Sequence, residues 1–263
     1  MKPSFLIDKI FKPTSNTIEE EKSYWDKFWR KKISSGSFSE ITNWFQKMAH
    51  KRAHDLIHSL LGNVKHKEFL EIGSGSGYNS ILLSMEGVDC TVLDSSKFAL
   101  KYSEKLSQKV IKRENTIKIK YVLGQVEEIP FKDESFDAVY SCGLIEHFND
   151  QKIKKIILEI KRVLQNNGQI IVLVPNLMSP EIIYRMIKFG RGSERYLTKK
   201  KLKNMLKEVG FKDVIVKSAM ISALPSFIPE SVYNKLNWLN HKLKFLDYLF
   251  YGRAFKKAPP SER

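Results

Sequence analysis

The chain has 263 residues, 42% of them hydrophobic and 28% charged, a globular composition that excludes a disordered protein and suits one large α/β domain or two small ones. Its formal net charge of +16 would attract nucleic acid, anionic lipid or acidic metabolites, although evenly spread lysines can also serve solubility alone. No apolar run reaches the roughly 18 residues of a membrane span, and the N-terminus lacks a signal-peptide core. We therefore predict a cytoplasmic protein. Cys90 and Cys142, both in predicted strands, argue against a disulfide framework.

The first 62 residues are predicted to form a helical cap. Thr17 and Glu20 make a capping box that begins one helix, and the break "SSGS" separates it from a second helix ending near Leu61. His50, His54 and His58 share one stripe of that second helix. We interpret the stripe as a solvated or packing face, because no carboxylate partner for a metal is evident.

Residues 63–263 alternate between strands and helices, which is typical of βαβ units with a mostly parallel sheet. The predicted strands are, in chain order, "EFLEI", "CTVLD", "IKIKYVLG", "FDAVYS", "QIIVLVP", "VIVKSAMI" and "YLFYGRAFKKA". The helix before the fifth strand is predicted to end with Gly168 as a left-handed cap. Thr198 is predicted to cap a later helix, "KKKLKNMLKEVG".

A glycine-rich loop follows the first strand, where doubly wound sheets bind ligands. It contains Gly73, Gly75 and Gly77, with Glu71 before it and Asp94 at the end of the next strand. No G-K-[ST] follows, which excludes a P-loop, and the third glycine comes one residue too early for a dinucleotide fingerprint. A carboxylate at ~4 Å from a phosphate would cost roughly 1 kcal/mol in water and about 4 at an effective dielectric of ~20. The loop therefore favours a cationic nucleoside without phosphate, a description that fits S-adenosylmethionine.

These motifs resemble those of the class I SAM-dependent methyltransferases, specifically the ubiquinone/menaquinone-type subgroup. The resemblance rests on "FLEIGSGSG", "VLD", "GQVEEIPFKDESFDAVYSCGLIEHF" and "LQNNGQIIVLVPN", and is strong over residues 67–175. It implies a Rossmann-like, doubly wound, seven-stranded α/β sheet, mostly parallel with an antiparallel last strand. It also implies an enzyme that transfers a methyl group from S-adenosylmethionine to a small-molecule or lipid-like acceptor and releases S-adenosylhomocysteine.

The resemblance also implies roles for individual residues. Glu71 would hold the ammonium group of the cofactor, and Asp94 would accept hydrogen bonds from both ribose hydroxyls. Gln125 stands where the family usually has an aspartate, although its amide can still bind adenine. The implied cofactor-binding residues are Glu71, Gly73, Ser74, Gly75, Gly77, Asp94, Ser95, Gln125, Val126, Glu127 and Cys142.

The segment "LIEHF" after the fourth strand carries the candidate catalytic residues. His147 is a candidate general base because its unperturbed pKa lies near neutrality. Glu146 could orient it or bind the acceptor, unless the pair is only a structural feature of the subgroup. Some quinone O-methyltransferases hold a metal with E-x-x-E-H, but Gly143 replaces the first acid here, which disfavours a metal.

The regions outside the strong match leave alternatives open. In this family the N-terminal region is often a lid over the cofactor, so its aromatic residues could exclude water rather than only pack in a core: Trp25, Phe28, Trp29 and Trp44. A helical insertion at about 224–246 carries an apolar stripe from Val232 to Leu246 that could cover the acceptor pocket or touch an anionic membrane peripherally.

Three other functions remain to be weighed. Nucleic acid is disfavoured as a partner because the residues after the fourth strand do not match base-methylating enzymes. An RNA methyltransferase and a catalytically silent SAM-binding scaffold protein stay as alternatives, as does an NAD-dependent oxidoreductase. The acceptor atom and the oligomeric state are not specified by any motif.

Overall fold

The computed structural model describes residues 18–39, 43–63, 65–110, 119–189, 194–195, 197–219, 224–236, 238, 242–243 and 247–257. Helices among these residues are α1 (Ile18–Ser34), α2 (Trp44–Leu61), α3 (Tyr78–Ser84), α4 (Lys97–Val110), α5 (Asp150–Val163), α6 (Pro180–Phe189), α7 (Lys199–Glu208) and α8 (Glu230–Leu236). The strands are β1 (Glu68–Ile72), β2 (Asp89–Asp94), β3 (Ile119–Leu123), β4 (Phe136–Cys142), β5 (Leu164–Pro175), β6 (Lys212–Ser218) and β7 (Leu249–Phe255).

The described strands form one sheet in the order β3-β2-β1-β4-β5-β7-β6. Strands β1 to β5 pair in parallel, and β7 runs antiparallel to both of its neighbours. The predicted seven-stranded, mostly parallel fold with an antiparallel last strand is therefore confirmed. Strand order reverses between β1 and β4, and such a reversal opens a crevice at the carboxyl ends of the strands.

Helices cover both faces of the sheet, which explains why its central strands are continuously apolar. In β5 the run from Ile170 to Val174 is buried throughout. On one face α5 contributes a stripe of isoleucines that begins at Ile153, and on the other face α2 contributes Ala53 and Ile57. The spacing of these residues by three or four places them on one side of each helix.

Helix α5 ends differently from the prediction. It ends at Val163, and Leu164 is already extended and begins β5. Gly168 has no positive φ, so its predicted role as a left-handed cap is wrong. A Cβ at Gly168 would instead lie 2.9 Å from the carbonyl oxygen of Gln165. A glycine is required here by backbone crowding at the start of the strand, which a sequence pattern cannot distinguish from a cap.

Of the two predicted N-terminal helix caps, one lies within the described residues. Thr198 accepts a hydrogen bond from the backbone N–H of Lys201 and caps α7 as predicted, whereas Thr17 lies outside the described residues.

In α8 the first residue of the predicted stripe, Val232, is exposed while Tyr233 is buried; the stripe also includes residues outside those described. Within the described ranges, no helix is both long enough and apolar enough to cross a membrane.

Candidate functional site

The glycine loop joins β1 to α3 with an unusual backbone. Gly75 and Gly77 have φ angles of +52° and +62°, a region that L side chains rarely adopt. Space is equally restricted, because a Cβ on Gly75 would lie 2.8 Å from the Trp29 ring and one on Gly77 would lie 2.5 Å from the Ser103 hydroxyl. The loop therefore needs glycine for conformation and for close approach, and its bare backbone faces the crevice.

Asp94, the last residue of β2, connects the glycine loop to the turn that follows β2. Its Oδ2 accepts a hydrogen bond from the N–H of Gly75 at 2.9 Å, and its Oδ1 accepts one from the N–H of Ser96 at 2.8 Å. Burial raises the pKa of Asp94, and these N–H donors partly oppose the rise. The hydroxyl of Ser96 in turn donates to Asp26 of α1. The N-terminal helix is thus fastened directly beside the carboxylate.

Glu71 lies one residue before the end of β1 and is 5% exposed. Its Oε2 accepts hydrogen bonds from the backbone N–H and the hydroxyl of Ser80 on α3. Burial raises the pKa of Glu71 to about 7, and the Ser80 donors oppose the rise. A carboxyl with this pKa is partly ionised near neutrality, so a cation that lay beside it would shift it towards the charged form.

The crevice is a cavity of about 290 Å³, near the lower end of the ~300–1,000 Å³ typical of small-molecule sites. Most of the predicted site residues line it: Glu71, Gly73, Ser74, Gly75, Asp94, Ser95, Gln125, Val126, Cys142 and His147. Three predicted residues are not part of its lining: Gly77, Glu127 and Glu146. Gly77 begins α3 from beneath the loop, and both glutamates are buried.

Further residues line the cavity, among which Trp25 and Trp29 were expected only as possible lid residues and Lys22 and Asn79 were not expected. Lys22, Trp25 and Trp29 of α1 close one side of it. Their spacing of three and then four residues places them on one helix face, a signal that was present in the sequence. Asn79 of α3 also lines the cavity and donates from Nδ2 to the hydroxyl of Tyr140 at 3.0 Å.

The histidine stripe of α2 divides into two parts. His50 lines the cavity, and its ring centroid lies 4.8 Å from that of Tyr78. His54 and His58 instead approach the carboxylate of Glu86 at 2.8 and 3.3 Å. The expectation that no carboxylate accompanies the stripe was therefore wrong, because Glu86 is brought in by the tertiary fold. Even so, the described residues include no group of three or more side chains placed to hold a metal.

The turn after β4 carries Glu146 and His147 on a short 3₁₀ helix, Ile145–His147. The His147 ring lines the cavity and lies edge-on to Trp25, with 5.7 Å between centroids. Glu146 is 2% exposed, and neither carboxylate oxygen has a hydrogen-bond partner among the described residues. Burial raises the pKa of Glu146 to about 7, with His147 acting in the opposite direction.

Cys142, at the end of β4, lines the cavity but is not suited to act as a nucleophile. Burial raises the pKa of its thiol to about 12. The reactive form of cysteine is the thiolate, which is scarce at neutral pH when the pKa is this high. Cys142 therefore acts as a small apolar wall of the cavity.

Comparison with known proteins relates this architecture to others. Residues 70–172 match the family described as methyltransferase domain. A demethylmenaquinone methyltransferase of Thermotoga maritima is 27% identical over 139 residues, which cover 52% of this chain and 52% of the relative. The chain spans about half the length of the curated relatives that it matches.

Solved structures share the fold at low sequence identity. The [4+2]-cyclase SpnF superposes with a TM-score of 0.65 at 15% identity, over 94% of this chain and 100% of the cyclase. Phosphoethanolamine N-methyltransferase 2 of Haemonchus contortus, in complex with S-adenosyl-L-methionine, superposes with a TM-score of 0.54 at 19% identity, over 78% of this chain and 52% of that enzyme. At these identities the likeness establishes the fold and not the reaction.

Proposed function

We propose that the chain is a SAM-dependent methyltransferase, because residues 70–172 match the methyltransferase domain family and the sheet has the class I strand order. Its acceptor would be a small molecule or a lipid-like compound. The observation that carries the proposal is a bare glycine backbone between two buried carboxylates, Glu71 and Asp94.

The two carboxylates match the charge and hydroxyl pattern of the cofactor. Each oxygen of Asp94 already accepts one backbone N–H, and a carboxylate oxygen can accept a further bond from a ribose hydroxyl. Glu71 would accept a hydrogen bond from the ammonium group of the methionyl part of SAM. Lys22 on the cavity wall would form an ion pair with the carboxylate of that methionyl part. A pyrophosphate would meet two buried acids instead, which supports SAM over NAD.

The adenine end would lie against Gln125 and Val126, which line the cavity after β3. Gln125 is exposed and can both accept from the adenine amino group and donate to a ring nitrogen. Glu127 is buried behind this wall, so we propose that it supports the turn rather than touching the base.

The remaining cavity residues define the proposed transfer site. When bound, SAM supplies a methyl group on a sulfonium, already activated for in-line displacement, and it is left as S-adenosylhomocysteine. His147 would accept the proton that an acceptor hydroxyl or amine loses, while Glu146 supports it from the neighbouring position. The contribution of the chain is therefore positioning and proton acceptance.

Apolar side chains favour a small or lipid-like acceptor. Three apolar side chains line the cavity near His147. The Trp25 ring lies beside the His147 ring, and Leu144 and Phe148 are close to His147 in the chain. Such a wall would exclude water from the reacting atoms and accommodate an acceptor with an apolar body. We further propose that residues 1–62 act as a helical lid and that a lipid-like acceptor brings the protein into peripheral contact with a membrane.

Binding measurements test the cofactor assignment. Titration calorimetry should detect SAM and S-adenosylhomocysteine but not NAD. Asp94→Ala should weaken SAM binding by more than about tenfold, because it removes two charged hydrogen-bond acceptors. Asp89→Ala, at the opposite end of the same strand, is the matched control and should bind normally. Unchanged affinity of Asp94→Ala, or tighter binding of NAD than of SAM, would refute the proposal.

Turnover tests the reaction itself. Proteins of this fold include a [4+2]-cyclase, so the assay must detect the transferred methyl group rather than binding alone. Incubation with methyl-labelled SAM and separate lipid, soluble-metabolite and RNA fractions should label the lipid or metabolite fraction and release S-adenosylhomocysteine. Label in RNA would support the RNA methyltransferase alternative, and binding without any release would support the silent scaffold protein.

A further inference from the structure

An exposed apolar face lies on helix α6 and the loop before α8. We define it by Ile183, Ile187 and Phe227, which are 42%, 81% and 61% exposed. Ile183 and Ile187 are one turn apart on α6, and the Phe227 ring lies 5.0 Å from that of Tyr184 on the same helix. Clustered large apolar side chains in water indicate an interaction surface, whereas scattered single ones do not.

This apolar face is held in place by a buried acid. Glu181 is 1% exposed and accepts hydrogen bonds from the N–H of Ser226 at 2.6 Å and from its hydroxyl at 2.9 Å. The Arg185 guanidinium also donates to Glu181, and it lies 5.7 Å from the centre of the Tyr248 ring. These polar contacts hold the loop, and with it Phe227, against α6.

The face lies at the same edge of the sheet as the cavity. Helix α6 follows the carboxyl end of β5, and β5 is parallel to β4, whose carboxyl end contributes Cys142 to the cavity. A ligand that approached along this face would therefore reach the edge where the cavity lies.

One cation borders the apolar face. Lys188 follows Ile187 directly, and its ammonium group donates to the Tyr184 hydroxyl at 3.0 Å and lies 5.4 Å from the Tyr184 ring. In a separate part of the C-terminal region Trp238 is 55% exposed, and the ammonium group of Lys242 lies 4.9 Å from its ring. Glu230 is an exposed acid at the start of α8. Exposed aromatic and aliphatic side chains beside lysines complement an interface of acyl chains and anionic headgroups.

We propose that the apolar face docks on an anionic lipid bilayer, which brings a membrane-dissolved acceptor to the cavity; this inference rests on the function proposed above. A second copy of the chain fits less well. A symmetric contact uses the same patch of both partners, so the interface would bring two copies of Lys188 into one apolar contact, whereas an anionic membrane attracts that charge. A few inserted side chains support reversible rather than permanent binding.

Vesicle cosedimentation with the full chain tests the docking surface. The probes are phosphatidylcholine vesicles with and without about one third phosphatidylglycerol, at low and high salt. The wild type should bind the anionic vesicles, and the double variant Ile187→Ser with Phe227→Ser should bind about tenfold less tightly. Lys188→Glu should also weaken binding, and added salt should weaken it in the wild type. Leu158→Ser, which removes a 49% exposed leucine from α5, is the matched control and should bind normally.

Parallel measurements separate this inference from the proposed function. The double variant should keep wild-type SAM affinity, because none of its residues lines the cavity. Normal SAM binding without any vesicle binding would overturn the docking surface alone, whereas absent SAM binding would overturn the proposed function. If light scattering instead showed a dimer that Ile187→Ser dissolves, the face would belong to a second copy and the membrane assignment would be wrong.

Discussion

Glu71 and Glu146 are both buried glutamates with a pKa near 7, but their surroundings differ. Glu71 receives two hydrogen bonds from Ser80 and lines the cavity. Glu146 has no hydrogen-bond partner among the described residues and lies outside the lining. Burial and a raised pKa therefore do not distinguish the two acids, whereas hydrogen bonding and access to the cavity do.

The same contrast separates the two halves of the site. The half around Glu71 is built from one continuous stretch, residues 68–96, in which strand, glycine loop and helix follow each other directly. The half around Glu146 and His147 is completed by Trp25 from α1, which is distant in sequence. We infer that the first half binds the cofactor and the second half receives the acceptor, and the following changes test that division.

The largest expected effect is on turnover. His147→Ala should lower methyl transfer by about 10²-fold, because it removes the proposed proton acceptor, and should leave SAM affinity unchanged within about twofold. The measurement is S-adenosylhomocysteine release together with calorimetry. His58→Ala, an exposed histidine beside Glu86, serves as control. If SAM affinity fell with turnover, His147 would belong to the cofactor half and the division would fail.

An effect of similar size is expected on stability as a function of pH. Each glutamate has a folded-state pKa of about 7 against 4.5 unfolded, so folding takes up protons between these values. The free energy of unfolding should therefore fall by up to about 3 kcal/mol per group as pH rises from 4.5 through 7. Glu71→Gln and Glu146→Gln should each be more stable than the wild type at pH 8, by about 1–3 kcal/mol in urea unfolding.

The two variants should then differ in ligand binding. Glu71→Gln should weaken SAM binding because the ammonium group loses its charged partner, while Glu146→Gln should bind SAM normally. Equal losses of affinity would mean that both carboxyls contact the cofactor, contrary to the difference in their positions.

The smallest effect concerns the glycine loop. Gly75 and Gly87 both have positive φ, but a Cβ on Gly75 would lie 2.8 Å from Trp29 whereas one on Gly87 would have its nearest neighbour at 3.8 Å. Gly75→Ala should therefore be more destabilising than Gly87→Ala by about 1–2 kcal/mol. Urea unfolding provides the comparison, and equal losses would show that Trp29 yields freely and does not press on the loop.

Local pattern predicted much of the fold, whereas the cofactor-binding roles stay predictions. The apolar strands, the glycine loop and Asp94 are features of contiguous segments, and the structure adds a hydrogen bond from the N–H of Gly75 to Asp94. Two of the failures involve residues that are distant in sequence. Glu86 reaches His54 across 32 residues, and Gly168 is crowded in part by the backbone of Asp137.

By itself, the sequence determined the order of strands and helices and the identity of the two acids that flank the loop, while the antiparallel last strand was expected from the family resemblance. Periodicity and backbone conformation are local properties, so the chain carries them wherever it folds. Only the tertiary structure decided that Lys22, Trp25 and Trp29 line the cavity and that Glu146 is buried outside that lining. Those outcomes depend on which parts of the chain, distant in sequence, pack against each other and exclude water. Packing of that kind exists only in the folded protein.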